Sequence, residues 1–328
     1  MRRREFIAAV AGTAACPLRV GAQTERMRRI GVLMSWAAGD PESLARLAAF
    51  RDALQKLGWT EGRNLLVEIR WAASDARLTQ EFAKELVALQ PDVILSPTTA
   101  TTAALLENTR AIPVIFVAVS DPVGSGFVAT FREPGGNVTG FINVEPTMAG
   151  KWLELLKEIA PRLERIALLF NPATAPYAEY YLGPFKAAAV SFRVQALAAP
   201  VHDVSALESA IAAQGREPNG GLVLMPDTFL LNHRAEVASL AARHSVPAIY
   251  PFRQFTDVGG LISYGNDGID NYRRAATYAD RILKGAKPSE LPVQAPVRFE
   301  LVVNLKAANA LGLEVPLQLQ QRADEVIE

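Results

Sequence analysis

Short apolar runs alternate with amphipathic stretches along most of this chain, and the alternation predicts a fold. "RIGVLMSW" (29–36) reads as a buried strand. "PESLARLAAFRDALQKLG" (41–58) reads as a helix, with Leu44, Leu47, Phe50, Leu54 and Leu57 at helical spacing and Gly58 as a stop signal. "NLLVEIRW" (64–71) is a strand, and "ARLTQEFAKELVAL" (76–89) is a helix that ends before Pro91. "DVILS" (92–96) and "IPVIFVAV" (112–119) are further strands. Strands alternating with helices predict a parallel sheet covered on both faces.

The pattern then restarts. "RRIGVLMSW" is echoed by "ERIALLFNP" (164–172), and "NLLVEIRW" by "FRVQALAA" (192–199). "DVILSPTT" is echoed by "GLVLMPDT" (221–228), and "AIPVIFVAV" by "SVPAIYPFR" (245–253). Matches in the same order predict an α/β chain of two doubly wound, Rossmann-like lobes, with right-handed crossovers and a cleft between them. A helix and proline-rich crossing at 271–292, and a strand with a short helix at 297–316, have no mate in this repeat. They are expected to tie the lobes together.

Composition narrows the function classes. At 328 residues, two domains are expected. A formal net charge of zero argues against a general nucleic-acid binder. Cys16 is the single cysteine, so no intramolecular disulfide forms. His202, His233 and His244 lack metal-ligand spacing. Neither a metal nor a cofactor is expected.

Residues 1–22 read as an export signal, basic, then apolar, then small, with Val20 and Ala22 placed for cleavage before Gln23. Arg3, Arg4 and Phe6 fit a twin-arginine signal, and the mild hydrophobicity and Arg19 agree with it. A Sec signal is the alternative. "TAAC" also reads as a lipoprotein box with Cys16 lipidated, although Thr13 is a poor first residue for it. Each reading places the mature protein outside the cytoplasm, and the expected location is the periplasm.

Ligands of parallel α/β sheets bind beyond the carboxyl ends of the strands. In the first half those ends carry Ser35 and Trp36, then Ser96, Thr98 and Thr99, then Asp121. In the second half they carry Asn171, Asp227, Tyr250, Tyr264 and Asp267. The threonines open a helix, where free N–H groups favour a carboxylate. The acids would balance an ammonium group, and the rings of Trp36 or Tyr264 would do so by cation–π contact. Trp36, Tyr177, Tyr250 and Tyr264 favour an aromatic or planar ligand. Each residue also has a plainer reading: Ser96, Thr98 and Asp227 as helix caps, Asp121 as a turn residue, Trp36 and Tyr250 as core aromatics.

Catalytic motifs are missing. No G-x-G-x-x-G follows the first strand, there is no P-loop, and "GSG" at 124–126 lacks nucleophile-elbow spacing. No histidine stands at a strand end.

With these residues laid out, the chain resembles the ABC transporter substrate-binding protein family that includes tryptophan/tyrosine-type binding proteins, with a type I periplasmic-binding fold. The resemblance rests on "RIGVLMSW", "DVILSPTTATTAALLENTRAIPVIFVAVSDPVGSGFV", "GGNVTGF", "GGLISYGND" and "RILKGAKPSELPVQAPVRFELVVNLKAANALGLEVP". It implies three crossings between lobes, with lobe 1 at 27–141 plus 265–291 and lobe 2 at 142–264 plus 296–328. It implies a monomer that closes by a hinge on an amino-acid-like or aromatic carboxylate ligand. It further implies delivery to a membrane permease driven by a cytoplasmic ATPase. A sensory binding protein feeding a membrane receptor, and an exported enzyme on the same scaffold, are the alternatives.

Overall fold

The computed structural model describes residues 27–328. The export signal and Cys16 lie outside the described residues. Two sheets, each with helices on both faces, make up the chain.

The first sheet is built from β1 (Arg28–Met34), β2 (Leu65–Trp71), β3 (Val93–Ser96), β4 (Val114–Val119) and β5 (Val138–Ile142). Its order is β2-β1-β3-β4-β5, and every pairing is parallel. The helices between strands are α1 (Pro41–Lys56), α2 (Ala76–Ala88) and α3 (Thr99–Asn108). Their starts are local in origin. Asp40 accepts from Ser43 N–H at 2.8 Å ahead of Pro41, and Asp75 accepts from Leu78 N–H at 2.8 Å. The apolar runs Val93–Leu95 of β3 and Val114–Val119 of β4 fit strands buried on both faces.

The chain then crosses to α4 (Met148–Ile159), β6 (Arg165–Phe170), α5 (Ala178–Phe192), β7 (Gln195–Pro200), α6 (Val204–Arg216) and β8 (Gly220–Leu224). It continues through α7 (Thr228–Asn232), α8 (Arg234–Arg243), β9 (Ala248–Tyr250), α9 (Arg253–Thr256) and β10 (Ile262–Asn266). After α10 (Gly268–Leu283) come β11 (Phe299–Asn304), α11 (Leu305–Ala310), α12 (Leu317–Arg322) and β12 (Glu325–Ile327). The second sheet runs β12-β11-β10-β9-β8-β6-β7. Within it β7-β6-β8-β9-β10 repeats the order of the first sheet, so the fold has the two doubly wound lobes that the repeat predicts. The β10–β11 pair is antiparallel.

One expectation is corrected. The helix at 271–292 does have a mate. α4 follows β5 and packs on α5 in the second lobe, while α10 follows β10 and packs on α1 in the first. Each lobe thus receives its closing helix from the strand of the other. α10 seats Tyr272, Ala275, Ala276 and Ala279 against Leu47 and Phe50, and α4 seats Trp152 and Leu156 against Tyr181 and Phe185.

At the crossings, Ile142 pairs with Val119 in the first sheet, and Gly265 and Asn266 pair with Glu300 and Phe299 in the second. The third crossing runs beside β5, where Ile142 N–H donates to Gln294 O at 2.9 Å and Gln294 N–H to Gly140 O at 3.0 Å.

α1 also turns differently from its apolar periodicity. Leu47, Phe50 and Leu54 are buried as expected, but Leu44 is 46% exposed and Arg46 only 8%. The helix presents Ser43 and Arg46 to the protein because the start of α10 lies there.

Candidate ligand-binding cleft

The strand ends of the two sheets face each other across a cavity of about 330 Å³. Of the residues expected at a ligand site, Trp36, Thr98, Thr99, Tyr177, Asp227 and Asp267 line it. Arg46 and Glu42 of α1 line it too, as do Phe252, Arg253, Asn271, Tyr272 and Glu300.

Trp36 sits where β1 ends. Its ring packs against the apolar clusters of both lobes, and the Arg46 guanidinium lies 5.1 Å from its centroid. Arg46 in turn donates to Glu42 at 2.8 Å. Arg253 is held by Glu300 at 2.5 Å and Glu325 at 2.8 Å. Desolvation raises the Glu300 carboxyl above its ordinary range, and Arg253 opposes that shift.

The threonine-rich start of α3 resolves into a hydroxyl network. Thr98 is the N-cap and accepts from Thr101 N–H at 3.3 Å, while Thr98 N–H donates to Thr101 Oγ1 at 3.1 Å. Ser96 is fully buried, sharing hydrogen bonds of 2.8 Å with Thr101 and with Thr102. Thr101 and Thr102 are therefore structural. Thr98 and Thr99 are the members of the run that reach the cavity wall.

Asp227 is also a connector. Its carboxylate accepts from Asn171 N–H at 2.6 Å, Thr174 Oγ1 at 2.5 Å, Phe229 N–H at 2.7 Å and Leu230 N–H at 3.4 Å. Burial raises its pKa, and these donors pull it back. It thereby ties the end of β6 to the start of α7. Asn171 serves this brace and is itself buried. Tyr177 donates to Pro226 O at 2.7 Å, which fixes its ring beside the brace.

Six expected residues lie outside the cavity wall: Ser96 and Asn171, held in the networks just described, and Ser35, Asp121, Tyr250 and Tyr264. Ser35 is buried, and its carbonyl accepts from Ser74 N–H at 2.5 Å. Asp121 closes its own turn by accepting from Gly124 N–H at 2.8 Å. Tyr250 is buried and stacked on Phe255 at 4.8 Å, and burial drives its phenol well above the ordinary range. Tyr264 stacks on Phe299 at 5.8 Å, and its carbonyl accepts from the Trp152 indole at 2.6 Å. Their plainer readings as turn and core residues describe Asp121 and Tyr250 in this structure.

Asp267 caps α10, accepting from Ile269 N–H at 2.9 Å and Asp270 N–H at 3.2 Å. One turn on, Asn271 donates to Val117 O at 3.0 Å and Ile142 O at 3.2 Å. Sequence reading missed Arg46, Asn271 and Tyr272 because the expected site was confined to strand ends. Their signal is tertiary, since α1 and α10 are far apart in sequence. Among the described residues no three His, Cys, Asp or Glu side chains gather as a metal site, and no helix is long and apolar enough to cross a membrane.

Comparison with known proteins places this geometry. A tyrosine-binding protein of Clostridioides difficile (strain R20291) is 24% identical over 268 residues, covering 81% of this chain and 76% of the relative. The structure of the ABC domain in complex with L-Trp from Streptococcus pneumonia is 25% identical, with a TM-score of 0.84, covering 92% of this chain and 99% of that one. The ligand-free, open structure of a substrate-binding protein with adhesive properties from Clostridium difficile is 24% identical, with a TM-score of 0.71 and coverage of 92% and 99%. Residues 37–327 match the family described as ABC transporter substrate binding protein, and the chain belongs to that family.

Proposed function

We propose that this protein is the extracytoplasmic solute-binding component of an ABC importer, working without catalysis. Its ligand is a small amino-acid-like or aromatic carboxylate compound. The cavity between the two lobes carries this reading: it is of small-molecule size, with Trp36 and Phe252 beside paired charges and helix starts. The ligands named for two relatives, tyrosine and L-Trp, support an aromatic amino acid first.

The two lobes, joined by three crossings near Ile142, Asn266 and Gln294, close on the ligand by a hinge. Contacts to both lobes stabilise the closed form over the open one. A permease with its cytoplasmic ATPase then receives the closed monomer in the periplasm.

Thermal melting with a panel of amino acids and aromatic acids tests this. A true ligand raises the midpoint by mass action, by roughly 2.7 kcal/mol of stability at a hundredfold excess over Kd. Failure of every compound to raise it, together with turnover of any of them, sinks the transport reading.

A further inference from the structure

The head group of the ligand has a better receptor than the start of α3. Ser96, Thr98, Thr101 and Thr102 bond one another, so most hydroxyls of that run are already engaged. The corner between α1 and α10 is different. Arg46 is 8% exposed, and its Nε has no hydrogen-bond partner in the protein. The Tyr272 hydroxyl is equally unpartnered on a side chain 2% exposed. Both residues line the cavity. Leaving such groups buried and unpaired is costly, more so for a charged group.

Asn271 adds the opposite polarity. Its amide nitrogen is committed to two carbonyls, Val117 O and Ile142 O, which fixes its Oδ1 as a free acceptor. Asp267, the neighbouring cap, brings a negative charge to the same corner. Gly268 makes the corner possible. A Cβ there would stand 3.2 Å from both Nε and Nη2 of Arg46, so a side chain would crowd the guanidinium. The corner therefore presents donors and acceptors side by side, as a zwitterion requires.

We propose that the α1–α10 corner receives an α-amino-acid head group, with Arg46 and Tyr272 holding the carboxylate and Asn271 and Asp267 holding the ammonium. This rests on the solute-binding reading above and adds to it the place and polarity of the head group. The Trp36 ring, already covered by Arg46, then stands beside the ligand body.

Titration calorimetry of wild type, Tyr272→Phe and Thr99→Val with L-tryptophan and tryptamine tests the assignment. Tyr272→Phe keeps the buried ring, and its melting midpoint checks that the fold is intact. The expected result is a loss of about tenfold or more in L-tryptophan affinity for Tyr272→Phe, with tryptamine, which lacks the carboxylate, unaffected. Equal affinity of wild type and Tyr272→Phe for L-tryptophan overturns the corner. So does a loss of carboxylate recognition in Thr99→Val but not in Tyr272→Phe; solute binding itself then stands. If wild type binds an aromatic acid but no α-amino acid of a full panel, the corner falls and solute binding stands; if it binds neither class, both fall.

Discussion

Asn232 of α7 donates to the Ser74 hydroxyl at 2.9 Å, joining the second lobe to the first at residues 158 positions apart. Ser74 is held in turn by the carbonyl of Ser35, next to Trp36. The bond spans the lobes outside the cavity wall, and under the proposed hinge closure it belongs to the closed form. Asn232→Ala should speed ligand release about two- to tenfold, the size of one neutral hydrogen bond. Stopped-flow fluorescence of the bound complex checks it; an unchanged release rate removes the bond from the closing mechanism.

Trp36 contacts the apolar clusters of both lobes. Trp36→Ala should therefore weaken aromatic ligands at least tenfold, since ring contact and interlobe packing are lost together. The expected sign is a smaller melting shift at fixed ligand concentration. An undiminished shift would show that Trp36 stands aside from the ligand.

Thr101 carries more hydrogen bonds than its neighbours in the hydroxyl run. Thr101→Val keeps the shape but strands Thr98 N–H and leaves the Ser96 hydroxyl with Thr102 as its one partner. A stability loss of about 1–3 kcal/mol follows, read from urea midpoints. A variant as stable as wild type would mean that those groups find new partners.

Asp227 gives a pH dependence with a definite sign. Burial raises its folded pKa above the ordinary carboxylate value of about 3.9. The folded state thus holds this proton to higher pH than the unfolded state does. The contribution of Asp227 is most favourable below the unfolded pKa and declines as pH rises to the folded one, then levels off. Asp227→Asn should remove that slope and cost about 1–3 kcal/mol, because an amide cannot accept from all four donors. Urea midpoints of both proteins between pH 3.5 and 6, on the order of the carboxylate range, decide it; identical slopes would refute the assignment.

What the chain declared in advance was its strands. Runs such as "VIL" (93–95) and "GLVL" (221–224) are apolar throughout, because parallel strands here are buried on both faces. The cavity wall was legible mainly at strand ends, as at Trp36, Asp227 and Asp267, and at Tyr177 through its ring. Arg46 was hidden because apolar periodicity does not register a charged residue on a buried face. Leu44 was misread for the same reason, as the neighbour that orients α1 is α10. Ser96 reads as a ligand donor, yet whether a hydroxyl faces a cavity or another hydroxyl depends on the helix that follows. Tyr250 and Tyr264 stand at strand ends with rings turned onto Phe255 and Phe299.

The exchange of α4 and α10 between lobes bears on how the polypeptide acquires its structure. The first lobe lacks its covering helix until the chain has been made as far as Leu283, after the second lobe's main strands. A chain stopped at Asn266 would leave Leu47 and Phe50 without the α10 surface they bury against. Neither half is a self-sufficient folding unit, so calorimetry should find one cooperative transition where two separate domains would give two. The proposed hinge then works within a molecule that remains, thermodynamically, indivisible.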